Sequence, residues 1–485
     1  MNFEYDNQAK TLKLEVLTRV ARHTYQQEPE DVYDRDPYDM IPGPLPSYRC
    51  CIYKEREIIR ERILSARGKN QPGQPDAGIL GVLPAACEGC PIQRFRVTDN
   101  CQSCLSHKCV EMCAFGAITV TPRGAYIDPT KCRECGRCAA VCPYNAISDT
   151  LRPCVKACPV KAIGKDETLR SVIDYGKCIN CGSCMKNCPF GAITDRSRMV
   201  DVIRALQGEG RVTAVFAPAA EGHFGTADVG KIKNAIRRLG FDDAVEVSLG
   251  ADAVAAHEAL ELRGRLQKDE KMTTSCCPAF VEMVRKHFPQ LIGDVSSTVS
   301  PMTAVARYLR ARDPGTAVVF IGPCVAKKAE ILSAEDSADY VLTFEELAAM
   351  FAARDINVAE AAEAEQDGSR FGRGFAQSGG VAAAVQEVFK EKDFGETFAC
   401  ETCDGARECK KALAVLAKGR FSEDFIEGMA CPGGCVAGPA GLAAPEEVRR
   451  NRVKLAAGAD GRTIGKNLTG AHDFSQVDMR TRTRG

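Results

Sequence analysis

From about Arg211 onward, short apolar runs rich in β-branched residues alternate with amphipathic stretches: VTAVFAP, VGKIKNAIRRLGF, AVEVSL, AVAAHEALELRGRL and, further on, TAVVFIGP. This alternation predicts strands joined by crossover helices, that is, an α/β domain whose parallel sheet is covered on both faces. In such folds ligands gather at the C-terminal ends of strands. The pattern ahead of Arg211 is different. YDRDPYDMIPGPLPSY predicts an irregular Pro-rich approach, KEREIIRERILSARG a charged helix ended by Gly68, and GKNQPGQPDAG a linker. Four short echoes follow, FGAITV, YNAIS, KAIG and GAIT, marking an internal repeat. The charged stretch from Glu446, which ends in RTRTRG, predicts a surface-exposed or frayed tail.

A chain of 485 residues has material for two or three domains. Lys plus Arg equals Asp plus Glu at 64 each, so no global field favours nucleic acid or an acidic membrane surface. MNFEYDNQAKTLKLEVLTRV lacks a basic stretch followed by an apolar run, and no segment reaches spanning length, so a cytoplasmic location is expected. There the 26 cysteines should stay reduced, and clustered reduced thiols are metal ligands. Eighteen lie from Cys50 to Cys188, none in the next 87 residues, and eight from Cys276 to Cys435. A metal-dense front and a larger globular rear follow from that asymmetry. The expected division is an N-terminal extension and linker over 1–85, a multicluster region over 86–195 with tandem modules at 97–150 and 151–195, a catalytic domain over 205–470, and a tail over 471–485.

Cys101-x2-Cys104-x4-Cys109-x3-Cys113 precedes Cys132-x2-Cys135-x2-Cys138-x3-Cys142-Pro143, and the pair resembles a bacterial two-cluster ferredoxin module. That resemblance implies that three close cysteines wrap one cubane while the fourth reaches the neighbouring one. Cys101, Cys104, Cys109 and Cys142 would hold one [4Fe–4S] cluster, and Cys132, Cys135, Cys138 and Cys113 the other. A degenerate copy follows as Cys154-x3-Cys158-Pro159 and Cys178-x2-Cys181-x2-Cys184-x3-Cys188-Pro189. By the same rule Cys178, Cys181, Cys184 and Cys158 complete a third cluster. A fourth would need Cys87 and Cys90, from AACEGCPI, to join Cys154 and Cys188; the alternative is a vestigial site with free thiols.

In the rear, TSCCPAF over 274–280, PCVAKKAE over 323–330 and EGMACPGGC over 427–435 resemble, in order, the three signature motifs of [FeFe]-hydrogenases. Phe280, Gly322 and the GPAGL after Cys435 bring the resemblance closer to the divergent group called group B. Independently of the family, Cys277, Cys324, Cys431 and Cys435 are four thiols from three separated loops, enough for one buried cubane. The glycines between Cys431 and Cys435 let inorganic groups approach the chain closely. The resemblance implies more: these four cysteines ligate the cubane of an H-cluster, and Cys435 bridges to its diiron unit with CO, CN and dithiolate ligands. Cys276 becomes a proton-passing thiol, Lys327 a donor to a cyanide ligand and Met429 a packing residue on the diiron unit.

Glu258 and Glu261 share one face of the helix AVAAHEALELRGRL and fall where the family places proton-relay carboxylates, with Ser296 at the relay hydroxyl. Glu330 closes the second motif as a structural or supporting group. Ala219 and Gly322 depart from a Ser and a Met of many family members, which predicts a roomier pocket. Cys50, Cys51, Cys400, Cys403 and Cys409 remain without a role, and His107 reads as a surface residue. The implied activity is reversible H2 oxidation and proton reduction. Its electrons would come from ferredoxin or a similar carrier through three to four front [4Fe–4S] clusters, after assembly by maturation proteins. The alternatives are a hydrogenase-like iron–sulfur scaffold and an H2 sensor.

Overall fold

A computed structural model describes residues 7–71, 78–87, 90, 93–456, 461–469 and 472–481. Most of the expected linker, 72–77, and the end of the tail, 482–485, lie outside the described residues.

Three helices lead the chain, Gln8–Tyr25, Val32–Met40 and Ile52–Ala66. Asn7 caps the first by accepting from the Ala9 N–H at 2.9 Å. The buried residues Val16, Leu17 and Val20 of that helix join the core of the rear domain, which its contact with helix Phe344–Ala353 makes possible. The second helix corrects the expectation of an irregular approach. Its Asp36, 1% exposed, receives Arg19 Nη1 at 3.3 Å and His23 Nε2 at 3.1 Å, and these tertiary bonds hold a turn that Pro37 would otherwise weaken. The charged helix Ile52–Ala66 forms as read and stops before Gly68, whose φ is +74°.

Eight short strands build the cysteine-rich region: β1 (Leu80–Val82), β2 (Phe95–Val97), β3 (Ile118–Thr121), β4 (Gly124–Ile127), β5 (Ile147–Asp149), β6 (Ile163–Lys165), β7 (Ser171–Ile173) and β8 (Ile193–Asp195). All pair antiparallel, β3 with β4, β6 with β7, β2 with β5 and β1 with β8. The pairing corrects the tandem arrangement. The second module does not begin at 151; its first strand is β1, which precedes the whole of the first module, so one module lies inside the other.

The rear contains two all-parallel sheets. β9 (Val212–Phe216), β10 (Asp243–Glu246), β12 (Ala317–Gly322) and β13 (Tyr340–Thr343) align in the order β10-β9-β12-β13; β11 (Met272–Thr273), β14 (Cys400–Asp404) and β15 (Phe425–Met429) align as β11-β15-β14. β9 and β15 are buried along their whole length, as a sheet covered on both faces requires. The α/β class read from the alternation is the class observed. The run AVEVSL splits, however: its first half ends β10 and its second half begins helix Val247–Leu266. Among the described residues no helix is long and apolar enough to cross a membrane.

Residues 472–481 correct the expectation of a frayed tail. Val299 N–H donates to Met479 O at 2.8 Å, Thr481 N–H to Ser297 O at 2.7 Å, and Arg307 Nη1 reaches Arg480 O at 2.9 Å. Met479 is buried beneath them. Charge density at the terminus hid a backbone pairing that composition does not encode.

Candidate metal centre

Each rear motif follows the C-terminal end of a parallel strand. Cys277 comes after β11 and forms the N-cap of helix Pro278–His287, with Pro278 at the position where its missing N–H costs nothing. Cys324 lies between β12 and helix Ala326–Ser333, and Cys431 follows β15. Two sheets therefore deliver their strand ends to one place. The Thr274 N–H donates to Ile426 O at 2.9 Å and the Gly428 N–H to Thr274 Oγ1 at 3.1 Å, which fixes the first motif against the third. Phe280 packs so closely on Gly428 that a Cβ there would stand 2.3 Å from its ring. Between Cys431 and Cys435, Gly433 and Gly434 take φ of +87° and +85°, and a Cβ on Gly434 would meet the Ala376 carbonyl at 2.7 Å. The glycines serve turn and close approach together.

The thiols of Cys276, Cys277, Cys324, Cys431 and Cys435 share one neighbourhood. Burial pushes Cys324 up to about 11, and its nearness to Cys277 adds to that. Burial also raises Cys431, with Cys324, Cys435 and Cys277 contributing, and Cys435, with Cys324 and Cys277 contributing. Cys276 is raised by burial and then by Glu258 and Cys277. All of these thiols are free rather than paired in disulfides. Among the described residues no three His, Cys, Asp or Glu side chains converge on a point suited to a single ion.

Lys327 is buried, donates to Glu330 Oε2 at 2.6 Å, and lies within electrostatic reach of Cys324 and Cys276. Burial opposes its charge, but Glu330 and the two thiols outweigh it and hold the ammonium above its ordinary range. Ser300 in turn donates to Glu330 Oε1. Met429 ends β15 in the apolar cluster against which Cys276 and Cys435 pack.

A line of carboxylates and hydroxyls runs outward from Cys276. Glu258, fully buried, is pushed up to about 8 by burial; its Oε1 lies 3.4 Å from both the N and the Oγ of Ser275, and its Oε2 has no hydrogen-bond partner within 3.5 Å among the described residues. Ser296 stands near Glu258 and donates to Glu261 Oε2 at 2.9 Å. Glu261, whose side chain is 15% exposed, accepts from the Ser297 N–H at 3.0 Å and from Arg265 Nη2 at 3.1 Å. Burial opposes its charge, and the Ser297, Ser296 and Arg265 bonds hold it below the usual carboxylate range. A cavity of about 470 Å³ lies alongside, lined by Ser275, Ser296, Ser300 and Glu330.

In the front, Cys109 has Cys104 and Cys142 as electrostatic neighbours, and Cys138 has Cys132 and Cys135. Cys178 neighbours Cys181 and Cys158. Cys181 also feels Cys277, which sets this group against the rear thiols. A repeated bond accompanies them: the N–H four residues on donates to the sulfur of Cys113, Cys142, Cys158 and Cys188 at 3.1–3.3 Å. Cys101 receives the Ala125 N–H at 3.5 Å. N–H groups aimed at sulfur favour thiolates over thiols, so the donor set fits [4Fe–4S] clusters.

Three features escaped the sequence. The space beside Gly322 is not empty, because the Phe320 ring fills it; a Cβ at 322 would stand 2.7 Å from that ring. At Gly322 the missing side chain therefore leaves no free space. His223 Nδ1 accepts from the Leu442 N–H at 3.2 Å while Nε2 donates to Val436 O at 3.1 Å, tying down the chain beyond Cys435. Cys403 and Cys409 are buried against each other, and the Cys409 thiol donates to Met429 O at 3.4 Å. An apolar-run or motif search has no signal for any of these.

Residues 210–439 match the family model for the iron only hydrogenase large subunit, C-terminal domain, and residues 125–148 and 171–194 match the 4Fe-4S binding domain. Iron hydrogenase 1 of Clostridium pasteurianum is 33% identical over 370 residues, 64% of this chain and 64% of that protein. The NADP-reducing hydrogenase subunit HndD of Solidesulfovibrio fructosivorans is 29% identical over 409 residues, 71% of this chain and 63% of its own. The periplasmic [Fe] hydrogenase large subunit of Nitratidesulfovibrio vulgaris is 30% identical over 286 residues, 48% of this chain and 68% of its own. The chain thus spans a little under two thirds of the length of the first two relatives.

Proposed function

Because the chain belongs to the iron-only hydrogenase family, we propose that it is an oxidoreductase interconverting H2 with protons and electrons in either direction. Cys277, Cys324, Cys431 and Cys435 would hold the H-cluster, which when bound supplies the electrons and an open iron position for H2. The observation that carries this reading is the half-buried Cys276 thiol near the buried carboxyl of Glu258. A scaffold needs no proton path to its cluster; a catalyst of proton reduction does.

Cys276 takes up or gives the proton at the site. Glu258, with its value near 8, exchanges that proton close to neutral pH, and Ser296 passes it to Glu261. Lys327 stays charged on Glu330 and presents a cation toward the ligand sphere. Met429 and Phe280 keep bulk water out. Cys101, Cys104, Cys109 and Cys142, then Cys132, Cys135, Cys138 and Cys113, and then Cys178, Cys181, Cys184 and Cys158 would hold [4Fe–4S] clusters, which would supply one-electron transfer toward the rear site. The last group neighbours Cys277 and so is the entry to the rear site. A reduced ferredoxin or a carrier of similar chemistry is the expected external partner, and maturation proteins the source of the diiron unit.

Infrared spectra of the anaerobically matured protein test the reading together with H2 evolution from a reduced carrier. Carbonyl and cyanide bands with turnover that falls on C276A at unchanged iron content are expected. Iron-loaded protein without those bands would move the chain to the scaffold reading.

A further inference from the structure

Between Cys90 and Cys154 the chain makes a complete excursion. β2 opens it, β5 closes it, and the two strands pair through Phe95–Asp149 and Val97–Ile147, with the Thr150 N–H donating to Arg94 O at 2.7 Å. The entry and exit of the excursion are therefore side by side, the arrangement by which a domain can be inserted in a loop without disturbing its host. The host module shows the same plan. β1 pairs with β8 as β2 pairs with β5, and the hairpin β6-β7 takes the place of β3-β4. With the excursion set aside, Cys87-x2-Cys90 runs directly into Cys154-x3-Cys158, which parallels Cys101-x2-Cys104 running into Cys109-x3-Cys113.

We propose that Cys87, Cys90, Cys154 and Cys188 hold a further [4Fe–4S] cluster whose ligand loop is split, between its second and third cysteines, by the whole inserted module. The matched cluster-binding segments, 125–148 and 171–194, take in Cys188 but stop short of the other three. Geometry brings the four together. The Ser171 N–H donates to Cys87 Sγ at 3.3 Å, and the Ser171 hydroxyl lies 3.5 Å from Cys154 Sγ, so one serine touches both ends of the split. The Leu83 N–H donates to Ala192 O at 2.7 Å and the Ala192 N–H to Cys188 Sγ at 3.3 Å, which sets Cys188 beside the turn Pro84–Cys87. Cys90 has Cys188, Cys87 and Cys154 as electrostatic neighbours. Arg152, 4% exposed, places a cation beside Cys90, and its Nε–H has no partner among the described residues. A buried cation without a carboxylate of its own suits a site that carries negative charge when filled.

The position gives the cluster a job. Cys154 is a neighbour of Cys184, which belongs to the group adjoining Cys277. On the other side, Lys165 of β6 bridges to Glu134 of the inserted module at 3.0 Å, next to Cys135. The split cluster therefore lies in the host module that the inserted module contacts, beside the group that adjoins the rear site.

The proposal rests on the cubane reading of the other modules, and iron counting separates the two. Full-length chain is reconstituted anaerobically with iron and sulfide, and the double variant C87A/C90A is compared with the parent by iron per chain and by electron paramagnetic resonance of the reduced protein. Loss of one cubane, four irons, with the remaining signals kept is expected; an unchanged iron content overturns the proposal. Should the variant fail to fold, the parent itself is labelled with a thiol reagent. Cys90 should stay unlabelled until iron is chelated, while the exposed Cys50 labels throughout. Labelling of Cys90 in iron-loaded parent overturns the split cluster alone, whereas a parent that takes up no iron overturns the cubane reading of every module.

Discussion

Asp195, the last residue of β8, accepts from Lys328 Nζ at 2.7 Å in a place where both side chains are buried. Lys328 directly follows Lys327 of the second motif, so a buried ion pair ties the cysteine-rich region to the site. Lys13 of the first helix adds a second cation to Asp195 at 2.8 Å, and Glu345 and Glu346 give Lys13 and Lys328 each a second carboxylate. Four segments far apart in sequence meet here.

That junction predicts a large cost for D195N. D195N removes the carboxylate that both lysines share and leaves each with one acidic partner, and the loss of a buried pair runs to about 3–5 kcal/mol. Burial works against the Asp195 carboxylate, but the two lysines outweigh it and hold its pKa below the ordinary range. Its stabilisation should be full above about pH 4, the unfolded value, and be lost as pH falls through the lowered folded value. Urea unfolding of parent and D195N across acidic pH checks both statements; equal stabilities at neutral pH would refute the junction's role.

Glu258 gives a prediction in which stability and activity move apart. Its folded value near 8 exceeds the unfolded value of about 4.3, so the folded state holds the extra proton. The associated stability is present at low pH and is lost as pH rises toward 8. E258Q removes that dependence and should melt higher than the parent at alkaline pH. It should also slow H2 evolution by about 100-fold or more, since glutamine cannot relay a proton. Melting curves and turnover measured on the same preparations decide it.

How much of this was legible beforehand differs by element. The parallel sheets were, because β9 and β12 are continuous apolar runs that announce full burial. The rear motifs were as well, since cysteine spacing and glycine content survive as local patterns. The nested modules were not: the pairing of Leu80 with Asp195 spans more than a hundred residues, and strands of three residues leave no periodicity to read. Pro37 in a helix and Met479 under Arg307 depend likewise on partners distant in sequence. Phe320 shows why a substitution read alone misleads, for the volume absent at Gly322 is returned by its neighbour two positions back on the same face.

His223 predicts a stability loss that grows in mild acid. Burial lowers its pKa to about 3, so it is neutral and bonds Leu442 and Val436 through its two nitrogens. Its contribution is full above the unfolded value of about 6.5 and declines as pH falls from there toward 3. H223A leaves a buried N–H and a buried carbonyl unpaired, a cost of about 2–4 kcal/mol. Thermal melts from neutral to mildly acidic pH should show a lower, flatter curve for the variant. A variant that tracks the parent would remove His223 from the support of the Cys435 loop.

Gly434 provides the sharpest test of the third motif. Alanine there meets two obstacles at once, a φ of +85° and backbone atoms of Ala376, Gln377 and Ser378 within 2.7 Å of the new Cβ. The strained backbone alone costs about 1 kcal/mol, and the clash must be relieved by moving one of two packed segments. One of the two is the loop that carries Cys431 and Cys435, and G434A should shift those thiols. Because the front cysteines lie on other segments, the variant should keep their iron and lose that of the rear site, one cubane per chain on reconstitution. Gly419, whose φ is +64° with nothing within 4 Å of a Cβ, gives the matched control. G419A should strain the backbone without disturbing any cluster. Equal iron in both variants would show that the motif tolerates displacement and that its glycines serve the turn alone.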